Sequence, residues 1–559
     1  MKKIVIYTLA LVISFVISSC EKLLDVKNLS VFNPGDTWND KELANAYLTD
    51  LYATLPGWPL NNSGNVITSG FTADESKGII GEDFLQTTNS NFKYWPFSNI
   101  RKINVLLDEI DTGTLAGDVI NPIKGQAYFL RAFHYFKAVI YHGGLPIIKK
   151  PQLLTDDLLV SRNTTKECFD FIIEDLDNAI SALPDKYTGN DYGRIDKAAA
   201  LAFKGRVLLF KASPQFNPSN PYGNAYWQEA YTATKAAKDQ LESWGYGLLS
   251  TYDDIFLKEQ HKEAVLAVVF VNPGKVNLRD NLIRPETGAT GDEPIWELVK
   301  SYPMADGKQP GNSSNYSYDV QTYWENRDPR FYSTIVYNGC ILPLGVSPDR
   351  RQYTDAPVVG ETLNRTGFYC RKGIDNSLKS SEAIRNAMDW LEIRFAEVLM
   401  NYAEAANETG HPDDALDVLK QIRQRAGIEP GSDGMYGITA TTKEQIRDAI
   451  QFENRIEFAF EGMRFWQLRR LRLLHTVIHG MRKYGLQITR KVGIDQLAQD
   501  TYPDDYDYVV KETYNLGSQI MYTPESYYFF PIHKDEIEKD PNLIQNVGWE
   551  GGTFDPTLH

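Results

Sequence analysis

The chain has 559 residues, 42% of them hydrophobic and 23% charged, a balance that excludes a disordered polymer and is long enough for one large core with an appended lobe. A formal net charge of -15 sets an acidic surface against phosphate backbones and excludes a nucleic-acid partner of the electrostatic kind. The four cysteines have no CxxC or Cys/His spacing, so neither a metal centre nor a cofactor is expected.

Residues 1–19 open with Lys2 and Lys3, continue through an uncharged apolar run from Ile4 to Ile17, and end in Ser18 and Ser19 before Cys20. A basic start, an apolar core and small residues at the cut are the order of a secretory signal peptide. A cysteine directly after the small residues has the form of a bacterial lipobox, so Cys20 is expected to carry lipid and to become the new N-terminus. Several acyl chains on one residue anchor a domain stably, whereas a single chain is marginal. The apolar run is short for a spanning helix, which needs roughly 20 residues. The expectation is a single body, residues 20–559, tethered to a membrane.

The part from 40 to 247 is predicted helical. Phe169, Ile172, Ile173, Leu176, Ala179 and Ile180 recur at helical spacing, with Cys168 on the same apolar side, and Ala198 to Ala212 forms a further helix stopped by Pro214. From 248 to 380 proline and glycine become frequent, which predicts a loop-rich lobe with short strands such as Ala264–Phe270. Cys340 and Cys370 lie there, and either a disulfide or two thiols fits the sequence.

Helices return over 381–475. Phe395, Leu399, Tyr402, Ala403 and Ala406 make one stripe, and Gly410 sits at a C-cap position. Pro412 opens the next helix, with Asp413 and Asp414 in its first turn, Arg423 and Arg425 in its last, and Gly427 at its end. This is an αα-hairpin of tetratricopeptide type. A third helix starts near Lys443, with Phe452, Ile456, Ala459 and Phe460 on one face. On the same helix Glu457, Glu461 and Arg464 are expected to share a face as a structural ion network, with Glu453 and Arg455 beside them. The segment 476–559 completes the chain; its acidic turn Asp504-Asp505-Tyr506-Asp507 reads as a solvated turn or a calcium site. The fold class expected is mainly α, a tetratricopeptide-type helical scaffold with an irregular loop-rich lobe containing small β elements.

Several blocks, in order, resemble one family. They are Gln126 to Tyr135 with Gly143-Gly144-Leu145-Pro146, Arg394 to Ala405 with its Glu397, Tyr402 and Glu404, Ile422 to Gly427, Glu453 to Arg464, Phe530-Pro531-Ile532, and Pro541 to Trp549. With the lipobox they resemble the SusD/RagB family of outer-membrane nutrient-binding lipoproteins. His533, Asp540 and Val547 depart from the family's usual residues and affect local turns. The resemblance implies a lipid-anchored protein at the cell surface of a Gram-negative bacterium that binds a glycan without turnover. It also implies a partner, a TonB-dependent SusC-like β-barrel transporter.

No GxSxG, HExxH, Gly-rich phosphate loop or EF-hand loop is present. The chain carries 32 Tyr, 26 Phe and 10 Trp, more aromatic surface than loops need. A sugar presents a face of C–H groups that lies flat on an aromatic ring, with amides and charged groups meeting its hydroxyls at the rim. Trp58, Trp95, Trp296, Tyr302, Tyr316 and Trp324 are the candidate ligand contacts, all in or beside loop-like stretches. Trp95 precedes the helix starting near Pro96, where the resemblance implies a glycan-stacking tryptophan. A peptide ligand, a lipid-anchored glycoside hydrolase and a tetratricopeptide adaptor remain the competing readings.

Overall fold

The computed structural model describes residues 34–55, 73–76, 87–88, 93–271, 277–278, 293–355, 366–379, 385–494, 501–512 and 520–558, with single positions 78 and 382. Cys20 and Trp58 lie outside the described residues.

The first helical part comprises α1 (Lys41–Tyr52), α2 (Phe97–Glu109), α3 (Gly117–His142), α4 (Thr165–Ala182), α5 (Lys197–Ala212) and α6 (Tyr226–Ser243). The starts of α1, α4 and α5 are fixed by side-chain caps: Asp40 accepts from the N–H groups of Glu42 and Leu43, Thr164 and Glu167 form a capping box, and Asp196 accepts from the Ala199 N–H. Helix α3 is buried nearly all round, with Phe129, Phe133, Tyr135, Val139 and Tyr141 in the main core. It ends at Gly143, whose φ of 79° needs glycine and where a Cβ would lie 2.4 Å from Pro556. The chain's last residues close over this end. Thr165 donates to the Pro556 carbonyl at 2.8 Å, the Leu558 N–H to Phe216 at 2.9 Å, and the Phe530 N–H to Tyr141 at 2.7 Å.

The returning helices are α7 (Phe395–Glu408), α8 (Pro412–Ala426), α9 (Lys443–Glu457) and α10 (Arg464–Arg470). The predicted hairpin is present, with Pro412 in the first turn of α8 and Gly427 as its left-handed cap. Helix α9 is shorter than its apolar stripe suggests. It ends at Glu457 because Phe460 and Gly462, with φ of 61° and 74°, turn the chain back. Ala459 and Phe460 therefore leave the helix, and Glu457, Glu461 and Arg464 do not share a helix face.

The turn sends these residues into two different ionic clusters. In the first, Arg394 meets Glu461 at 2.8 Å, Glu263 at 2.9 Å and Glu457 at 2.7 Å. Arg330 meets Asp328 at 2.8 Å, Glu453 at 2.7 Å and Glu457 at 3.0 Å. Arg423 binds Glu453 at 2.7 Å, Arg425 binds Glu263 and Glu457, and Lys372 binds Glu461 at 2.5 Å. The five bases and five acids balance, and all are buried. Burial alone would raise the Glu457 carboxyl, but Arg425, Arg394 and Arg330 outweigh it and hold the group well below the usual carboxylate range.

In the second cluster Asp74 binds Arg455 at 2.9 Å and Arg464 at 2.8 Å. Beside it Glu75 is buried, and desolvation followed by the charge of Asp74 pushes its carboxyl up to about 8.

The loop-rich lobe holds a separate aromatic core. Ala264–Val268 pairs antiparallel with Trp390–Arg394, which brings Glu263 beside Arg394. A hairpin of Tyr484–Arg490 with Tyr506–Glu512 buries Tyr506 and Tyr508 against Trp296, Tyr302, Tyr323, Trp324, Phe331 and Phe368. Cys340 and Cys370 are buried on different two-residue strands and no disulfide joins them; Cys168 is buried in the main core as expected. In the acidic turn Asp505 accepts from the Tyr502 N–H at 2.7 Å. Among the described residues no three metal-ligating side chains converge.

Two outcomes follow from these charges. Glu457→Gln breaks a buried charge balance and should cost about 3–5 kcal/mol in denaturant unfolding; a loss below the spread of surface substitutions would contradict the network's role. Glu75 has a folded-state pKa above its ordinary value of 4.5, so its contribution is complete below that value and is lost as pH rises toward 8. Glu75→Gln should therefore gain thermal stability over the parent progressively from pH 5 to pH 8 and then level off. A difference that stays flat across this window would show that Glu75 ionises normally.

Candidate functional site

Trp95 sits one residue before the cap of α2. Pro96 disfavours helical backbone at the preceding residue, which keeps Trp95 outside the helix. Its ring is half-buried, 4.9 Å from Phe97 and 6.0 Å from His142 in an edge-on arrangement. The neighbouring Tyr94 ring lies 5.5 Å from Tyr141, and Tyr141 lies 4.9 Å from Trp466 on α10. Trp95, Tyr94 and Trp466 are each half-buried. The rings connect Trp95 to Trp466 through the buried His142 and Tyr141, with Tyr94 against Tyr141, in one aromatic strip across the junction of α2, α3 and α10 that is open only at Trp95, Tyr94 and Trp466.

The strip has a defined polar side. The Tyr94 hydroxyl and His134 Nδ1 are 2.8 Å apart, and His134 Nε2 is 2.9 Å from the Thr54 hydroxyl. Burial pushes both His134 and His142 down to about 3, so the imidazoles are neutral at physiological pH. Lys137 holds its ammonium 4.6 Å over the Tyr94 ring, and burial lowers its pKa. At the strip's margin Lys93 pairs with Glu536 at 2.7 Å. The arrangement offers apolar ring faces beside one cation, a surface suited to the C–H face and hydroxyls of a sugar.

The other candidates fall elsewhere. Trp324 is buried, stacked on Tyr337 at 5.9 Å with its edges against Tyr323 and Tyr508. Trp296 is buried against Phe368 and Tyr323, and Tyr302 is fully buried against Phe331. These three rings build the lobe's own core, so they expose no face to a ligand. Tyr316 stays half-buried, with its hydroxyl donating to Glu429, and no ring contact joins it to Trp95 among the described residues. Trp549, the last residue of the Pro541–Trp549 block, is buried and donates to the Phe529 carbonyl at 2.8 Å.

Trp466 is the residue the sequence reading missed. It follows the Glu461-Gly462-Met463-Arg464 block by two positions, and no local signal marks it, because the chain reversal at Phe460 and Gly462 that aims it toward Tyr141 is not written in the apolar stripe. A groove of about 680 Å³ between α4, α5 and α6 is lined by Ile180, Leu201, Leu208 and Ala233 and carries no aromatic ring. It lacks the surface on which a sugar stacks.

Comparison with known proteins places this geometry in context. A family model described as the SusD family matches residues 272–549, and one described as starch-binding associating with the outer membrane matches residues 60–209. SusD-like protein P38 of Formosa agariphila is 24% identical over 514 residues, covering 84% of this chain and 91% of that protein. A SusD-like protein from Bacteroides fragilis has a solved structure with 25% identity and a TM-score of 0.74, covering 93% of this chain and 100% of the other. A laminarin-binding SusD-like protein superposes with a TM-score of 0.63 at 19% identity, covering 91% of this chain and 100% of the other. The two family models together take in most of the chain, in the order of its sequence blocks, and the fold is shared along almost its whole length: the chain belongs to the SusD/RagB family.

Proposed function

We propose that this protein captures a glycan on the strip formed by Trp95, Tyr94 and Trp466 and passes it, uncleaved, to a TonB-dependent SusC-like β-barrel transporter at the outer membrane. The observation that carries the reading is the half-buried Trp95 ring, held out of α2 by Pro96 and linked through His142 and Tyr141 to the half-buried Trp466. Trp58 and Tyr316 are secondary contacts in this proposal. Family membership supports carbohydrate as the ligand class, as does a fold neighbour that binds laminarin.

The absence of turnover is supported by how the junction's acids are used. Glu453, Glu457 and Glu461 are each committed to guanidinium or ammonium groups, whereas a general acid needs a proton to give near neutral pH; Glu75, which keeps one, is buried out of reach of a bound ligand. Delivery to a barrel is supported by a simple constraint: no helix among the described residues is long and apolar enough to cross a membrane, so import of a captured ligand needs another protein. Lipid anchoring at Cys20 would confine both proteins to one membrane and raise their effective concentration.

Laminarin and starch oligosaccharides are the probes for the site. Trp95→Ala or Trp466→Ala should weaken the binding measured by calorimetry by about 1–3 kcal/mol while leaving the thermal transition within a few degrees of the parent. Parent-like binding in both variants would move the site away from the strip, and reducing ends released in proportion to purified protein would make the protein an enzyme. Delivery is tested separately by detergent extraction and affinity purification through a tag on this chain. A β-barrel transporter should co-purify; its absence from a preparation that still binds glycan would leave a free-standing surface binder.

A further inference from the structure

Between Pro151 and Val160 the chain forms an ordered surface loop with the sequence Gln152-Leu-Leu-Thr-Asp-Asp-Leu-Leu159. Its four leucines are exposed, Leu153 at 61% and Leu154 at 96%. Ile544 of the C-terminal segment is also exposed, and its carbonyl accepts from Arg162, two residues past the loop. The two pieces are tied together, because Asn542 donates to the Leu159 carbonyl at 3.1 Å and the Val160 N–H donates to Asp540 at 2.9 Å. A ridge of four exposed leucines with Ile544 beside it is an uncommon thing for a soluble surface to leave in water.

We propose that this ridge is a second membrane contact, a shallow apolar wedge that rests in the lipid surface beside the N-terminal anchor. The proposal rests on the lipid-anchored reading of Cys20. Its first support is where the described chain begins. The Trp38 indole donates to Glu109 at 2.8 Å, while Lys150, at the base of the ridge, lies 3.9 Å from the neighbouring Asp108. Arg101 of the same helix, α2, donates to the Gln152 carbonyl. The N-terminal entry of the chain and the ridge are thus mounted on one helix. A chain spans at most roughly 3.5 Å per residue, so the stretch from Cys20 to Pro34 reaches about 50 Å when fully extended. That tether is long enough to let the ridge meet the membrane that holds the anchor.

The second support is the loop's backbone. The Leu153 N–H donates to Asp156 at 2.7 Å, the Asp156 N–H to the Leu153 carbonyl at 3.1 Å, and the Leu159 N–H to Asp157 at 3.1 Å. These groups, with Val160 N–H and the Leu159 carbonyl, already have partners inside the protein. Pressing the leucines about 5–10 Å into the headgroup and acyl boundary strands none of them. The third support is composition. Protein interfaces concentrate their energy in Trp, Tyr and Arg, with Leu under-represented, and the ridge has leucine pairs without an aromatic anchor. Lys149 and Lys150 at its base already pair with Glu174 and Asp108, so the contact rests on the leucines and not on charge.

The test uses the chain from residue 21 to 559 with an N-terminal histidine tag, held on vesicles of phosphatidylethanolamine and phosphatidylglycerol that contain a nickel-chelating lipid and a spin-labelled lipid. The nickel tether stands in for the lipid, so the result does not depend on whether Cys20 is acylated; release of a Cys20→Ala chain from cell membranes tests that reading by itself. A fluorophore is placed on Leu154→Cys and, as a control on the loop-rich lobe, on Val346→Cys, where the native residue is 74% exposed. Quenching at 154 should exceed quenching at 346 by roughly threefold or more, because the quencher reaches only groups in the boundary layer. Leu158→Cys, labelled in the same way, should follow 154 and guards against a local effect of one substitution. Equal quenching at all positions, or an unquenched label at 154 in a chain that is tethered and folded by circular dichroism, overturns the wedge and leaves the ridge to a protein partner.

Discussion

Glu457 is the residue on which the architecture turns. It closes α9, and its carboxylate is shared by guanidinium groups from three other places: Arg330 in the loop-rich lobe, Arg394 at the start of α7 and Arg425 at the end of α8. Removing these charges from water is costly, and the cost is offset only when every lone pair and every N–H finds its partner. The balance of five acids with five bases meets most of that demand, although the Arg425 Nε–H is buried without a hydrogen-bond partner. It also admits one arrangement, since a shift of α8 against α9 by a single turn would leave a buried charge alone.

The same device recurs at each helical seam. Arg131 fixes α3 to Asp175 of α4, Arg206 of α5 reaches Glu397 of α7, Arg447 of α9 reaches Glu408 of α7, and Arg470 of α10 binds Glu404 of α7. Arg131, Glu397 and Glu404 stand within the blocks that carried the family resemblance, and their partners lie outside them. They specify how helices meet, and the position of the aromatic strip follows from them. Trp95 rides on the start of α2 and Trp466 on α10, and both are brought together across Tyr141 and His142 at the end of α3. A rigid frame of this kind suits a binding surface, because a ring that is already oriented loses little entropy when a ligand stacks on it.

Much of the frame was legible in the sequence because its signals are local. Gly410, Pro412 and Gly427 mark helix ends by backbone preference alone, and the α7 and α8 stripes depend on a period of 3.6. The length of α9 was not legible, since its apolar stripe continues past the point where Phe460 adopts a left-handed backbone. The candidate site was only partly legible, and for a different reason. Trp296, Tyr302 and Trp324 stand in proline-rich, irregular stretches that resemble surface loops, yet they are covered by Tyr337, Phe368 and, from far along the chain, Tyr508. Whether an aromatic ring in a loop faces water depends on what the rest of the chain lays over it. Trp95 could be singled out because Pro96 acts on it directly, whereas Trp466 acquires its place only through Tyr141.

The closure of the last residues over the end of α3 bears on the order of events in making the protein. The pocket formed by Gly143, Thr165 and Phe216 is filled by Pro556 and Leu558, and Phe530 completes the hydrogen bonding of Tyr141. The earliest long helix therefore lacks part of its covering until the chain's final segment has been delivered. Contacts this distant in sequence form late. The contacts of Pro556 and Leu558 with the end of α3 are thus among the last that the fold can make.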